Sequence, residues 1–407
     1  VTGSTGAAAL SLLVTAQDGE EYVLGRPDLG VYVAVPEPGV VLIRALQDGA
    51  SLAEATGRAS LAAGAAVDGA DFLAGLADLG LLAEPARAPA GDPGPAAGRL
   101  VRWTDGVSQR AAGRLFGRVA WTGYALAALF AGVVLVARPD LRPSFEDAWF
   151  LGDPVLCVLA LAPVGVLLTA THEAWHWLAG RAVGVAAVFR VSRRGIWVVF
   201  ETDLTPVVTL PRRRRYSPFL AGMAWDGSLL AGALALRLLY RADLLPLPPL
   251  ADRLLGVVVL TQVITLTWQG AAVFLRTDGY AVLANALRCH NLYRASWLTT
   301  KDRLWRLTPA EAGELAGISR HDRRVARWFG LGYVLGLAAT GWLAVNVGLP
   351  FLLSMALWVA NNLAAPAVGS VAFWESVAVL ALLLAQWSAP PLLALRERRL
   401  RQAGTLL

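Results

Sequence analysis

The chain has 407 residues, 56% of them hydrophobic, with a mean hydropathy of +0.53 and a formal net charge of +6. That balance excludes an ordinary soluble globular enzyme and marks a polytopic membrane protein. The positive charge is almost all arginine, since Lys301 is the only lysine, and it gathers at the ends of apolar runs, which speaks for membrane orientation and against a nucleic-acid partner. Cys157 and Cys289 are too few for a disulfide framework. Ala7–Val14 is too short, and lacks the basic flank, to be a cleavable signal peptide.

Residues 1–90 read as a small soluble α+β domain. Glu21–Leu24 and Val31–Val35 have the composition of short strands, and Pro36-Glu37-Pro38-Gly39 reads as a turn. Ser51-Leu52-Ala53-Glu54 is a capping box that opens a helix. A second helix is expected over Asp71–Leu82, with Phe72, Leu73, Leu76 and Leu79 on one face and Gly80 near its end. Strands followed by capped helices predict a small winged helix-turn-helix. Few basic residues lie in this region, so DNA is disfavoured as its ligand. Residues 91–114 begin Gly-Asp-Pro-Gly-Pro and read as a linker.

Six segments are long and apolar enough to span a bilayer: roughly 115–137, 154–179, 216–240, 252–275, 325–348 and 371–395. Residues 350–366, with Asn361, Asn362 and Pro366, read as an interfacial piece or half-span. The first four spans make a core over 115–298, a cytoplasmic loop covers 299–324, and the last helices occupy 325–407. Arginines precede the first span and follow the second, fourth and sixth, which predicts a multi-pass cell-membrane protein with both termini in the cytoplasm. Gln262, Thr265 and Gln269 form a polar stripe on the fourth span, expected to hydrogen-bond between helices.

The second span ends in His172-Glu173-Ala174-Trp175-His176, an HExxH motif. Residues i and i+4 share a helix face, so both imidazoles can hold one Zn²⁺ while Glu173 stands beside the attacking water as general base. His172 lies about 27 Å along its helix from Pro154, near the cytoplasmic leaflet. A catalytic zinc needs a third protein ligand. Asp278, just past the fourth span and followed by Gly279, is at matching depth; its alternative is a cap for a helix over 279–288. His290 is the reserve ligand, and His321 reads as solvated. Between the second and third spans, Val185–Val191 and Ile196–Glu201 alternate like strands around Ser192-Arg193-Arg194-Gly195, which predicts a β-hairpin.

An HExxH in one membrane helix and an Asp-Gly two helices later resembles the site-2 protease family of intramembrane zinc metalloproteases, over roughly 150–290. The resemblance implies that His172, His176 and Asp278 bind Zn²⁺, that Glu173 is the catalytic base, and that the hairpin offers substrate an edge strand. A third motif of that family, Gly-Pro-x-x-Asn, is altered here to Gly222-Met223-Ala224-Trp225-Asp226, which implies substrate contact by Gly222 and Asp226; the alternatives for Asp226 are titration against Glu173 and a structural pairing with an arginine.

Residues 1–90 resemble the PqqD-like domain that recognises leader peptides of ribosomally made, modified peptides. The match rests on element order and on the phrases from Val33 to Leu42 and from Asp71 to Leu82. The combined expectation is a zinc endopeptidase that removes the leader from a precursor bound by residues 1–90. Regulated cleavage of a membrane protein such as an anti-sigma factor is one alternative. A non-catalytic peptide-binding, export or immunity protein is the other.

Overall fold

A computed structural model describes residues 9–18, 21–26, 31–82, 102–103, 106–185, 187–194, 197–289, 291–364 and 367–402. The N-terminal part opens with an antiparallel meander of β1 (Val14–Asp18), β2 (Glu21–Arg26) and β3 (Val31–Val35). Helices α1 (Glu37–Gln47), α2 (Leu52–Ala63) and α3 (Gly69–Asp78) follow.

The expected turn at Pro36–Gly39 is instead the start of α1. Pro38 sits in its first turn, where the missing amide hydrogen would have had no partner, so proline there starts a helix as readily as it makes a turn. Ser51 Oγ accepts from the Glu54 N–H at 3.3 Å, as a cap should. Asp68 caps α3 by accepting from the N–H groups of Ala70 and Asp71, which moves that helix two residues earlier than expected.

Leu24, Leu42, Ile43, Leu73, Leu76 and Leu81 form the core between sheet and helices. Arg26, fully buried, donates from Nη1 to the Leu81 carbonyl at 2.9 Å and ties the sheet to the chain beyond α3. All three strands precede the helices. Among the described residues up to Leu82 no strand follows α3, so the wing of a winged helix-turn-helix is not seen there.

Among the described residues, six helical stretches are long and apolar enough to cross a membrane. The first joins α4 (Gln109–Leu115) to α5 (Arg118–Ala137), so the expected linker is partly helix. Two residues of that stretch, Arg102–Trp103, form β4; residues 91–101 lie outside the described residues. Then come α6 (Pro154–Ala182), α7 (Arg212–Arg241) and α8 (Pro249–Ala271). Helix α7 is central and packs on α5, α6 and α8. Leu230 and Leu234 of α7 meet Val134 of α5 and Val259 of α8. Arg237 of α7 and Asp252 of α8, both buried, pair at 3.0 Å, so neither charge stands alone in an apolar setting.

Helices α9 (Asp278–Ala286), α10 (Leu292–Leu304) and α11 (Pro309–Gly317) lead to α12 (Arg320–Leu343). The expected loop at 299–324 is therefore largely helical. Of the apolar piece at 350–366, residues 350–364 are helix, α13 (Leu349–Ala364), joined to α12 through one π-helical turn at Ala344–Gly348; residues 365–366 lie outside the described residues. Together they make a 45-residue stretch. At about 1.5 Å per residue that is more than twice the thickness of a bilayer core. The last helix is α14 (Val371–Gln402), on which Glu375 is buried.

Between α6 and α7 lies the hairpin of β5 (Val188–Arg194) and β6 (Trp197–Asp203), with β4 paired to the far side of β5. Ser192, Arg193 and Arg194, read as turn, are strand. The strand pairing runs up to Arg194 and Trp197, and residues 195–196 lie outside the described residues. β6 is left as an outer strand beside α6.

Candidate metal centre

The last third of α6 presents His172 and His176 on one face, one helical turn apart, and both are buried. Opposite them the chain leaves α8 and turns sharply at Arg276, whose φ of 58° is left-handed. Thr277 then stands at the cap position of α9, and Asp278 is its first residue. Asp278 is thus not the cap. Its Oδ2 lies 3.0 Å from His172 Nε2 and 3.0 Å from His176 Nε2, and the two Nε2 atoms are 3.2 Å apart.

Two imidazole nitrogens and a carboxylate oxygen suit a zinc-class cation. With bonds of about 2.1 Å, tetrahedral ligand atoms stand roughly 3.4 Å apart. The observed separations are within a few tenths of an ångström of that. These three residues form a group that could hold a metal ion.

Each of the two histidines is held from behind. Asp226 of α7, 1% exposed, places Oδ2 2.8 Å from His172 Nδ1, and the Pro218 carbonyl is 2.7 Å from His176 Nδ1. Both outer nitrogens therefore face acceptors. This fixes the tautomer that leaves each Nε2 lone pair free for a cation. Asp226, expected as a substrate contact, is directed at His172. Proline 218 lies within α7 and withholds its own amide hydrogen from the helix ladder.

Gln269, expected to bond between helices, accepts from the Asp278 N–H through Oε1 at 3.0 Å and from Thr277 Oγ1 through its carbonyl at 2.9 Å. Gly279 is required here, because a Cβ would overlap the Gln269 carbonyl. Gly222 of α7 faces both imidazoles so closely that a Cβ would overlap the two rings. The altered motif thus keeps the one residue whose lack of a side chain admits the histidines. Trp225 stacks on Trp175 at 3.9 Å between ring centroids, and Trp175 donates from Nε1 to the Tyr124 hydroxyl at 3.1 Å. Those contacts lock α6 to α7 and α5 beside the ligands.

Glu173 points toward the hairpin. The Thr202 N–H donates to Glu173 Oε2 at 2.9 Å, and Thr202 Oγ1 donates to the Glu173 carbonyl at 2.7 Å. Alternate residues of an antiparallel strand turn their backbone groups to opposite sides. The amides of Phe200 and Val198 therefore face the same side of β6 as that of Thr202. Thr202 carries no motif; only the hairpin pattern hinted at a role nearby. His290 lies outside the described residues, and exposed His321 has Nε2 2.8 Å from the Leu287 carbonyl.

The support behind His172 predicts a graded effect. Asp226→Ala is expected to weaken binding of added Zn²⁺ by about 10- to 100-fold, because the imidazole loses its orienting acceptor. Asp226→Asn, whose carbonyl oxygen can still accept from Nδ1–H, should retain most of it. Titration against a chromophoric chelator reads both.

No family model, no curated protein and no solved structure matches the chain.

Proposed function

We propose that this chain is a membrane-embedded zinc endopeptidase that removes the leader from a ribosomally made, modified peptide. The observation that carries the reading is the convergence of His172, His176 and Asp278, with Glu173 one residue from the first of them and half-buried against β6. Zinc bound there would supply Lewis acidity to a scissile carbonyl and its attacking water. Glu173 takes a proton from that water and returns it to the leaving amine. Asp226 and the Pro218 carbonyl keep the two imidazoles in the ligating tautomer.

The scissile segment must be extended, because a helical peptide bond is shielded by its own turn. Strand addition to β6 achieves this, with the outward amides of Val198 and Phe200 aligning substrate toward Glu173. The arginine distribution supports cytoplasmic termini and a site opening near the cytoplasmic leaflet.

Residues 1–90 act as the leader-recognition domain in this reading. Support comes from how the sheet sits: β1 and β2 pack on the turn at Thr205–Thr209. A cavity of 350 Å³ lies between Val23, Tyr32 and Val33 of the sheet and Phe219 and Tyr280 of the membrane part. Tyr280 is two residues from Asp278, so a peptide held there is close in the chain to the centre.

The test uses the purified full chain in detergent, a library of leader-bearing peptides and mass-spectrometric detection of cleavage. Chelation is expected to abolish cleavage and Zn²⁺ to restore it. Deleting residues 1–90 should depress cleavage of leader-bearing peptides selectively. Cleavage that survives complete metal removal would reject the metalloprotease; unchanged processing after the deletion would shift the substrate to a membrane protein. Bound zinc without any cleavage would favour a peptide-binding protein.

A further inference from the structure

A second group of ligating side chains gathers where the end of α9 meets the start of α12, and it shares no residue with the first. Past α9 the chain reverses at Arg288, whose φ of 57° is left-handed. The Cys289 N–H then donates back to the Ala284 carbonyl at 3.0 Å, a helix-closing bond that returns Cys289 toward α9. From the other side, Ser319 caps α12 by accepting from the Asp322 N–H at 3.0 Å, which sets His321 and Asp322 in the first turn. The ligating atoms of Cys289, His321 and Asp322 all lie within 4.8 Å of one another.

Cys289 and Asp322 are buried, and His321 is exposed, so the group has an apolar floor and a route from solvent. Leu292, Ala295 and Ala326 form that floor. The Leu287 carbonyl accepts from His321 Nε2 at 2.8 Å. Because a carbonyl can only accept, Nε2 carries the proton and the other ring nitrogen keeps its lone pair. This is the arrangement in which a ligating histidine is usually held.

We propose that Cys289, His321 and Asp322 form a second, non-catalytic site for a zinc-class divalent cation. A thiol, an imidazole and one carboxylate select such a cation over Mg²⁺ or Ca²⁺, which prefer all-oxygen sets. Binding exchanges the Cys289 thiol proton for the cation: the S–H bond breaks, a sulfur–metal bond forms, and the proton goes to solvent. Exposed His321 leaves the group accessible to water. The cation would fasten α12 to the end of α9, the helix whose first residue is Asp278. Occupancy of this site therefore steadies the element that delivers the third ligand of the first.

Cobalt substitution tests this independently of any cleavage, because only a thiolate ligand gives sulfur-to-cobalt charge transfer in the near ultraviolet and the first site has no sulfur. The full-length chain titrated with Co²⁺ is expected to take up about two equivalents and to show that band. Cys289→Ser should lose the band and about one equivalent, and His321→Ala, at an exposed position that folding tolerates, should also lose about one. The double variant His172→Ala, His176→Ala should keep the band, which separates this site from the protease reading. A wild-type chain without the band would overturn the proposal, as would a band that persists in Cys289→Ser and so arises from Cys157. Uptake unchanged in both single variants would overturn it equally.

Discussion

Glu173→Gln is expected to leave metal content unchanged while cleavage falls by about 10²- to 10⁴-fold, the usual contribution of a positioned general base. At 1.36 kcal/mol per tenfold, that is roughly 3–5 kcal/mol on the barrier. The substitution is nearly isosteric, and the amide oxygen can still accept from the Thr202 N–H that holds Glu173 Oε2 at 2.9 Å. The hairpin should therefore remain docked on α6 through this bond and through Thr202 Oγ1 to the Glu173 carbonyl. Only the capacity to take up a proton is removed. Zinc analysis by plasma mass spectrometry and cleavage rates on the same preparation separate the two effects. Undiminished cleavage in this variant would show that Glu173 is not the base and would sink the assignment.

Asp278→Ala is expected to reduce bound zinc from about one per chain to a small fraction, and cleavage with it. Asp278 is the sole anionic member of the ligand group, and its Oδ2 stands 3.0 Å from both imidazole nitrogens. Without it two neutral imidazoles remain, an incomplete set for a divalent cation. The start of α9 should survive, because neither bond that holds it uses the side chain of residue 278: its N–H donates to Gln269 Oε1, and Thr277 Oγ1 donates to the Gln269 carbonyl. Asp278→Asn, which keeps the shape and loses the charge, should fall between wild type and the alanine variant. Equilibrium dialysis with Zn²⁺, beside the Cys289→Ser background to remove the second site, gives a single binding curve. Zinc retained in full by Asp278→Ala would move the third ligand elsewhere, with His290 the next residue to replace.

The site was legible where its chemistry is local. His172 and His176 share a face because 3.6 residues make a turn, whatever surrounds the helix. The long apolar helices were legible because a bilayer requires about 20 apolar residues, and six such stretches occur among the described residues. Asp278 was legible only as a candidate, since an acid at the head of a helix reads equally as a cap; packing of the α8–α9 turn against α6 turns it toward the histidines. Pro36–Gly39 reads as a turn but starts α1, because proline weakens a helix interior while a first turn tolerates it.

What the sequence by itself determined is the kind of chain and its HExxH motif: six stretches long and apolar enough to cross a membrane, with HExxH near the end of the second. What only the tertiary structure decided is the company that motif keeps. Asp226 is 54 residues from His172, Asp278 is 106 residues from it, and Thr202 is 29 from Glu173. Periodicity belongs to one segment's backbone and is written in adjacent residues. Contacts across such separations depend on how α6, α7, α9 and the hairpin pack, and on a glycine at 222 whose missing side chain is the space the two imidazoles occupy.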